Sequence, residues 1–306
     1  MLKSWRTRTA VGTLALALTA TLSACSATPD DDRPQVIASF YPLQFVAQRI
    51  AGDDADVTTL TGPGVEPHDL ELTVRQTAKL AGADIVIYEK GVSPAVDGAV
   101  ANNGPKHVLD TTTVVPLRPP AAGEEAANGE SMDEGDPHFW QDPTLLAKVA
   151  RSFTRMLVKV DPANAPSYRA ENDRMQRDLR RLDHDYRTGL AHCRTRTLVV
   201  SHDAFEYLGR RYHLDIEPIA GLTPDAEPSA KHLGQLASLI RKDDITTVFS
   251  ERLASPKLAD TLASDLGITT AVLDPIEGLT PDDSSADYLT LMRQNLAAIK
   301  KANGCS

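Results

Sequence analysis

Cysteine is scarce in this chain, with three in 306 residues at positions 25, 193 and 305. None forms a CxxC pair, so the thiolate metal sites built on that spacing are excluded. Neither HExxH nor GxSxG occurs anywhere, which removes the common zinc-hydrolase and serine-hydrolase signatures. Positive charge is in deficit as well. Lys and Arg number 32 against 42 Asp and Glu, a net charge of -10, and such an acidic surface argues against nucleic acid as a partner while being compatible with cations. There is no internal repeat and no apolar run long enough to span a bilayer.

What acidic residues the chain has are missing from its first 24 positions, which carry Lys3, Arg6 and Arg8 and then the apolar run Val11 to Leu22. That run is about a dozen residues, short of the roughly 20 needed to cross a hydrocarbon core, so residues 1–24 read as a secretory signal peptide. It ends in Leu22-Ser23-Ala24-Cys25, which resembles a bacterial lipobox. The expected consequence is cleavage before Cys25, a lipid on its sulfur and an extracytoplasmic protein tied to the cell membrane through a polar tether over residues 25–35. Removing the signal takes the net charge to -13. Cys193 and Cys305 would then meet oxidising conditions, which favours a disulfide pinning the C-terminus, with two buried free thiols as the alternative.

Short apolar runs recur along the remaining chain at Val36 to Phe40, Val57 to Leu60, Ile85 to Tyr88, Leu198 to Ser201, Thr247 to Ser250 and Thr270 to Leu273. Each is followed by a helical or turn-rich stretch. The alternation predicts an α/β fold of parallel strands buried on both faces, in two sets. Between the sets, Asp161-Pro162 opens a polar stretch free of glycine until Gly189, whose Tyr168, Met175, Leu179, Leu182, Tyr186 and Leu190 make a single apolar stripe. One helix over 161–192 is expected, about 45 Å long at 1.5 Å per residue and able to join two lobes, 36–160 and 193–306. Residues 116–135, rich in Pro, Ala, Gly and Glu and without periodicity, read as a mobile acidic loop.

Three of the eight histidines lie in turns beside acidic residues: Gly64-Val65-Glu66-Pro67-His68-Asp69, Asp136-Pro137-His138-Phe139-Trp140 and Ser201-His202-Asp203-Ala204-Phe205. His68, His202 and Asp274 follow predicted strands, and the carboxyl ends of strands are where open parallel sheets place ligands. His138 leaves the acidic loop just before a helical segment, Thr144 to Val160. Two candidates precede the long helix and two follow it, so a cleft between lobes could gather all four. Three imidazoles and one carboxylate make a closed tetrahedral set suited to zinc; magnesium and calcium would want mostly oxygen, and manganese stays possible with an added acidic ligand. Glu251, also past a strand, rivals Asp274 for the fourth place. Otherwise Glu251 and Glu227 would cap a helix, make an ion pair or orient ligands from behind.

These pieces together resemble the zinc/manganese class of solute-binding lipoproteins of bacterial ABC importers, over nearly the whole chain that follows the signal. The carriers of the likeness are Ala38-Ser39-Phe40-Tyr41-Pro42, Gly64 to His68, Asp136 to Trp140, Ser201 to Leu208, Glu227-Pro228-Ser229 and Val272-Leu273-Asp274-Pro275. The resemblance implies two α/β lobes joined by a rigid helix, metal between them, and ligands at His68, His138, His202 and Asp274. It also implies a permease and its ATPase as partners, and a monomeric carrier that is not an enzyme. Manganese-type members typically have glutamate at the third ligand; His202 stands there in this sequence, which makes zinc the expected cargo. One departure is the loop before His138, where zinc-type members often carry histidines and this chain has Glu124, Glu125, Glu130, Asp133, Glu134 and Asp136. A surface adhesin or metal chaperone on the same fold is the competing expectation; a secreted zinc hydrolase would need a ligand position left for water.

Overall fold

The computed structural model describes Met1 and residues 33–118, 135–222, 224, 227–281 and 286–306. Cys25, the signal segment, most of the tether and residues 119–134 of the acidic loop lie outside the described residues. From Arg33 to Ser306 the chain forms one compact unit.

Two four-stranded, wholly parallel sheets organise it. The first contains β1 (Gln35–Ala38), β2 (Asp56–Thr59), β3 (Ile85–Tyr88) and β4 (His107–Asp110), in the order β2-β1-β3-β4. The second contains β5 (Thr197–Val200), β6 (Asp215–Pro218), β7 (Thr247–Ser250) and β8 (Thr269–Val272), in the order β6-β5-β7-β8. The two orders are the same, so each lobe has a switch point beside its first strand, where the crossovers part to opposite sides. Central strands are what uninterrupted apolar runs become when both faces are covered. Every residue of β3 and of β7 is buried.

The sequence pattern finds the central strands and the edge strands β2 and β8 within a residue or two, and misses the edge strands β4 and β6. All four edge strands are half-buried or exposed at most positions, but His107 and Asp110 bound β4 and Asp215 and Glu217 interrupt β6, so those two leave no apolar run to read. Charged and polar residues break the apolar pattern, and the signal fades accordingly.

Nine helices are described. In the first lobe α1 (Tyr41–Ala51), α2 (Val74–Gly82), α3 (Pro94–Asn103) and α4 (Pro143–Val160) follow the strands, and in the second α6 (Glu206–Tyr212), α7 (Ala230–Lys242), α8 (Lys257–Leu266) and α9 (Tyr288–Asn303) do. Local chemistry sets their starts. Thr73 and Gln76 close a capping box at α2, Ser93 caps α3 ahead of Pro94, and Asp142 caps α4 ahead of Pro143.

Between the lobes runs α5 (Ala165–Gly189), 25 residues and so about 37 Å long. It begins three residues later than Asp161-Pro162 suggests. Asp161 instead accepts hydrogen bonds from the Asn164 backbone and side chain and, at 2.6 Å, from the Tyr168 hydroxyl, so it organises the turn ahead of the helix. The expected stripe is buried: Tyr168, Met175, Leu179, Leu182 and Tyr186 face inward. They belong to one continuous apolar core that runs from Val36 and Phe40 through Trp140 and Phe153 to Phe205, Phe249 and Ile299. Two smaller cores cover the outer faces of the two sheets. A shared core leaves the lobes no greasy seam along which to part. Cys193 and Cys305 form a disulfide that fastens the end of α9 to the residue chain entering β5.

Candidate metal centre

Each lobe delivers two side chains to the boundary. His68 lies in the loop between β2 and α2, His138 in the turn ahead of α4, and His202 just past β5. The fourth is Glu277, in the loop after β8. Its Oε1 lies 2.9 Å from His138 Nε2, 3.5 Å from His202 Nε2 and 3.7 Å from His68 Nε2. His138, His202 and Glu277 are wholly buried, and the His68 side chain is 7% exposed, so one edge of the cluster alone touches solvent.

The hydrogen bonding of these rings is lopsided in an informative way. Every Nδ1 has a partner: Val92 O at 3.1 Å for His68, Asp136 Oδ1 at 2.9 Å for His138, and Glu251 Oε1 at 2.9 Å for His202. Every Nε2 lacks one, as do both oxygens of Glu277. Burying a polar atom without a partner costs about 1–3 kcal/mol, and five such atoms facing one another would be ruinous in an ordinary core. Nδ1 donating to an acceptor behind the ring leaves the Nε2 lone pair pointing into the cluster, the arrangement metal-binding histidines adopt. Orphaned donor atoms of three imidazoles and one carboxylate fit a tetrahedral divalent ion.

The electrostatics agree. Burial alone would lower the pKa of both inner histidines, yet the carboxylates beside them prevail. Asp136 and Glu277 bring His138 to about 9, and Glu251 with Glu277 holds His202 well above its ordinary value. Burial likewise opposes ionisation of Glu277, but the three imidazoles hold it well below the usual carboxylate range. Glu66, beside His68 in sequence, is pushed up to about 9 by burial and then by the charge of Glu277. Positive charge is thus demanded at the centre of the cluster.

The expectation that put Asp274 fourth does not match the geometry. Asp274 Oδ1 accepts from the Ile276 amide at 2.8 Å and Oδ2 faces Arg252 Nε at 3.4 Å. Asn295 holds the Asp274 backbone at both its N–H and its carbonyl. Ile276, a β-branched residue, is thereby kept at φ +62°, a conformation L-residues with branched Cβ avoid. The strained bend turns the next residue, Glu277, toward the histidines. Gly278 then passes so close to the other lobe that a Cβ there would lie 3.3 Å from Val65 O. The sequence signal for Glu277 was an acid between Pro275 and Gly278 in a post-strand turn, three places past the residue that drew attention.

Glu251 forms a second metal-competent group with His202 and Glu277, but its Oε1 lies on the Nδ1 side of the His202 ring, away from the Nε2 cluster. It accepts from His202 and, at 2.7 Å, from the Ser201 hydroxyl, which orients the ring from behind. Glu227 is exposed, ahead of the Ser229 cap of α7, and belongs to no metal-competent group among the described residues. Asp136, in sequence one acid of the loop and the first residue of the His138 motif, holds His138 through both its backbone N–H and its ring.

Two parallel α/β lobes locked on one long helix, with three histidines and a glutamate meeting at their boundary, define the metal solute-binding proteins of bacterial importers. The chain belongs to the family described as zinc-uptake complex component A, periplasmic, whose model matches residues 36–302. It is 33% identical over 284 residues to the high-affinity zinc uptake system protein ZnuA of Bacillus subtilis, covering 90% of this chain and 89% of that one. The zinc-bound ZnuA-like domain of Streptococcus pneumoniae AdcA superposes with a TM-score of 0.74 at 30% identity, over 89% of this chain and 99% of the domain. Against whole curated AdcA the chain spans 56% of the length. The laminin-binding protein Lmb of Streptococcus agalactiae, described as having adhesin and metal-transporting activity, gives a TM-score of 0.77 at 25% identity over 88% of this chain and 99% of its own.

Proposed function

We propose that the protein captures zinc outside the cytoplasmic membrane through His68, His138, His202 and Glu277 and hands it to an ABC importer. The observation that carries this reading is the set of orphaned Nε2 and carboxylate atoms, each ligand ring braced from behind, inside a family of zinc-uptake components. Three nitrogens and one carboxylate favour zinc over manganese, which prefers more oxygen. Four protein ligands close the coordination sphere and leave no place for an activated water, which supports a carrier and speaks against a hydrolase. No helix of the described residues is long and apolar enough to cross a membrane. A lipid on Cys25 would supply the attachment and hold a monomeric carrier near its permease, raising its effective concentration there.

Calorimetric titration of the metal-stripped protein with zinc and with manganese tests this. One tight zinc site, weakened at least tenfold in His68→Ala, supports it; absence of tight binding, or indifference to that change, overturns it. The His202→Glu variant should move preference toward manganese.

A further inference from the structure

The surface charge of this acidic protein is unevenly distributed. Helix α4 carries Lys148, Arg151, Arg155 and Lys159 and no acidic residue at all, and all four are exposed. They recur at steps of three and four, so they share one face. Helix α5, packed against α4, adds six arginines, at 169, 174, 177, 180, 181 and 187, all exposed, against five acids. One of those acids, Asp183, is buried, and another, Asp178, is taken by Arg49 at 2.6 Å. Arg151 reaches across to Gln176, which fixes α4's basic row beside α5 and makes the two rows continuous. Among the described residues, Arg169, Arg177, Arg180 and Arg181, with Lys148 and Lys159, make no ion pair. The two helices together carry a net charge of +5 in a chain of net charge -10. Such a face costs stability by self-repulsion, and nothing inside the fold requires it.

We propose that the α4/α5 face is a docking surface for the anionic lipid headgroups of the membrane from which the protein hangs. Two observations select lipid. The charge is complementary, with four basic residues and no acid on α4, and a screening length of about 8–10 Å limits how far acids elsewhere offset it. The chain also enters the fold at that edge: Arg33 donates to Asp53 O, and the neighbouring Asp54 carbonyl accepts from Tyr168 in the first turn of α5. The end of α4 with Lys159 and the start of α5 with Arg169 flank this corner. The proposal rests on the lipid-anchor reading for the placing of the bilayer: eight residues from Cys25 to Arg33 span at most about 30 Å. A tether of that length lets the corner, and the ends of both basic rows beside it, reach the headgroups.

The test uses the unacylated chain from Ser26, which contains the whole compact unit, and so does not depend on whether Cys25 is lipidated. Co-sedimentation is measured with vesicles of phosphatidylglycerol and phosphatidylcholine in equal parts and with phosphatidylcholine alone. Binding to the mixed vesicles only, falling with added salt, is expected. Each basic residue near an anionic leaflet strengthens partitioning about fivefold, so Lys148→Gln, Lys159→Gln and Arg169→Gln together should weaken it about a hundredfold. A control with the same charge change elsewhere, Lys231→Gln, Lys257→Gln and Arg210→Gln, should bind as the parent does. Equal loss in both triple variants, equal binding to the two vesicle types, or tighter binding to soluble polyphosphate than to vesicles would each overturn the proposal. Zinc titration of all three proteins should be the same; mass analysis of the mature N-terminus decides the lipid separately.

Discussion

Replacing Glu277 and Asp274 separately, each by its amide, distinguishes a carboxylate that holds metal from one that builds the loop. Removing a group that merely braces a metal ligand costs 10–100-fold in affinity, so losing a ligand carboxylate should cost at least the upper figure. At free zinc one hundred times the parent dissociation constant, binding adds about 2.7 kcal/mol to parental stability; after a hundredfold loss about 0.4 kcal/mol is left. The difference of about 2.3 kcal/mol corresponds to roughly 5–9 °C of zinc-induced rise in Tm for a protein near this size. Glu277→Gln should therefore lose nearly all of the zinc-induced shift while the metal-free protein melts close to the parent. In Asp274→Asn the amide oxygen can still accept from the Ile276 N–H, so the bend persists. The attraction to Arg252 weakens, and the zinc shift should survive within a tenfold change of affinity. Differential scanning with and without zinc reads both. A full shift in Glu277→Gln, or its loss in Asp274→Asn with metal-free stability intact, would refute the assignment.

Other consequences are equally open to measurement. His138, raised to about 9, holds a proton at pH 7 that zinc must displace, so titrations in buffers of different ionisation enthalpy should show at least one proton released and affinity rising with pH toward 9. Glu89, buried at the carboxyl end of β3, is held well above the carboxylate range by burial and by Asp136 and Asp110, only partly offset by Thr111. A carboxyl raised in the folded state costs nothing below its unfolded value near 4.5 and progressively more above it, so Glu89→Gln should stabilise the protein at pH 8 and leave it unchanged at pH 4 in thermal melts. Breaking the disulfide by Cys193→Ser with Cys305→Ser reopens a loop of 112 residues, worth up to about 4–5 kcal/mol by chain entropy. Denaturant midpoints should fall, with zinc affinity kept.

The central strands, the linking helix and three of the four cluster residues were legible because each rests on a local signal. A strand covered on both faces must be apolar throughout, a helix lying along two lobes must show one stripe, and histidines in turns past strands stand out against a sequence with eight of them. The fourth position was not legible. Asp274 and Glu277 both follow β8, and what separates them is a backbone conformation, the positive φ of Ile276, that no propensity predicts for isoleucine. The same holds for Glu251, which could be read as ligand or brace until the distance to His202 Nδ1 was known. The edge strands β4 and β6 failed for another reason, since polar and charged residues cut their apolar runs to one or two positions.

Pro275 ties these threads together mechanically. Its carbonyl accepts from Trp140 Nε1 at 2.7 Å and from Gln141, while the Tyr288 hydroxyl donates to Trp140 O at 2.5 Å. Tyr207 likewise reaches across to the Asp136 carbonyl at 3.0 Å. These are rivets between the halves, all on the His138 and Glu277 side of the cluster. Unloading by wholesale separation would have to shear every rivet and split a common core at once. The cheaper path lifts a single finger: His68, the one donor with a solvent-facing edge, sits on a loop held to the other half through the Gly64 amide and the Leu279 carbonyl at 2.8 Å, and there a departing ion would first trade nitrogen for water, so the lifetime of the loaded carrier should be set at that loop.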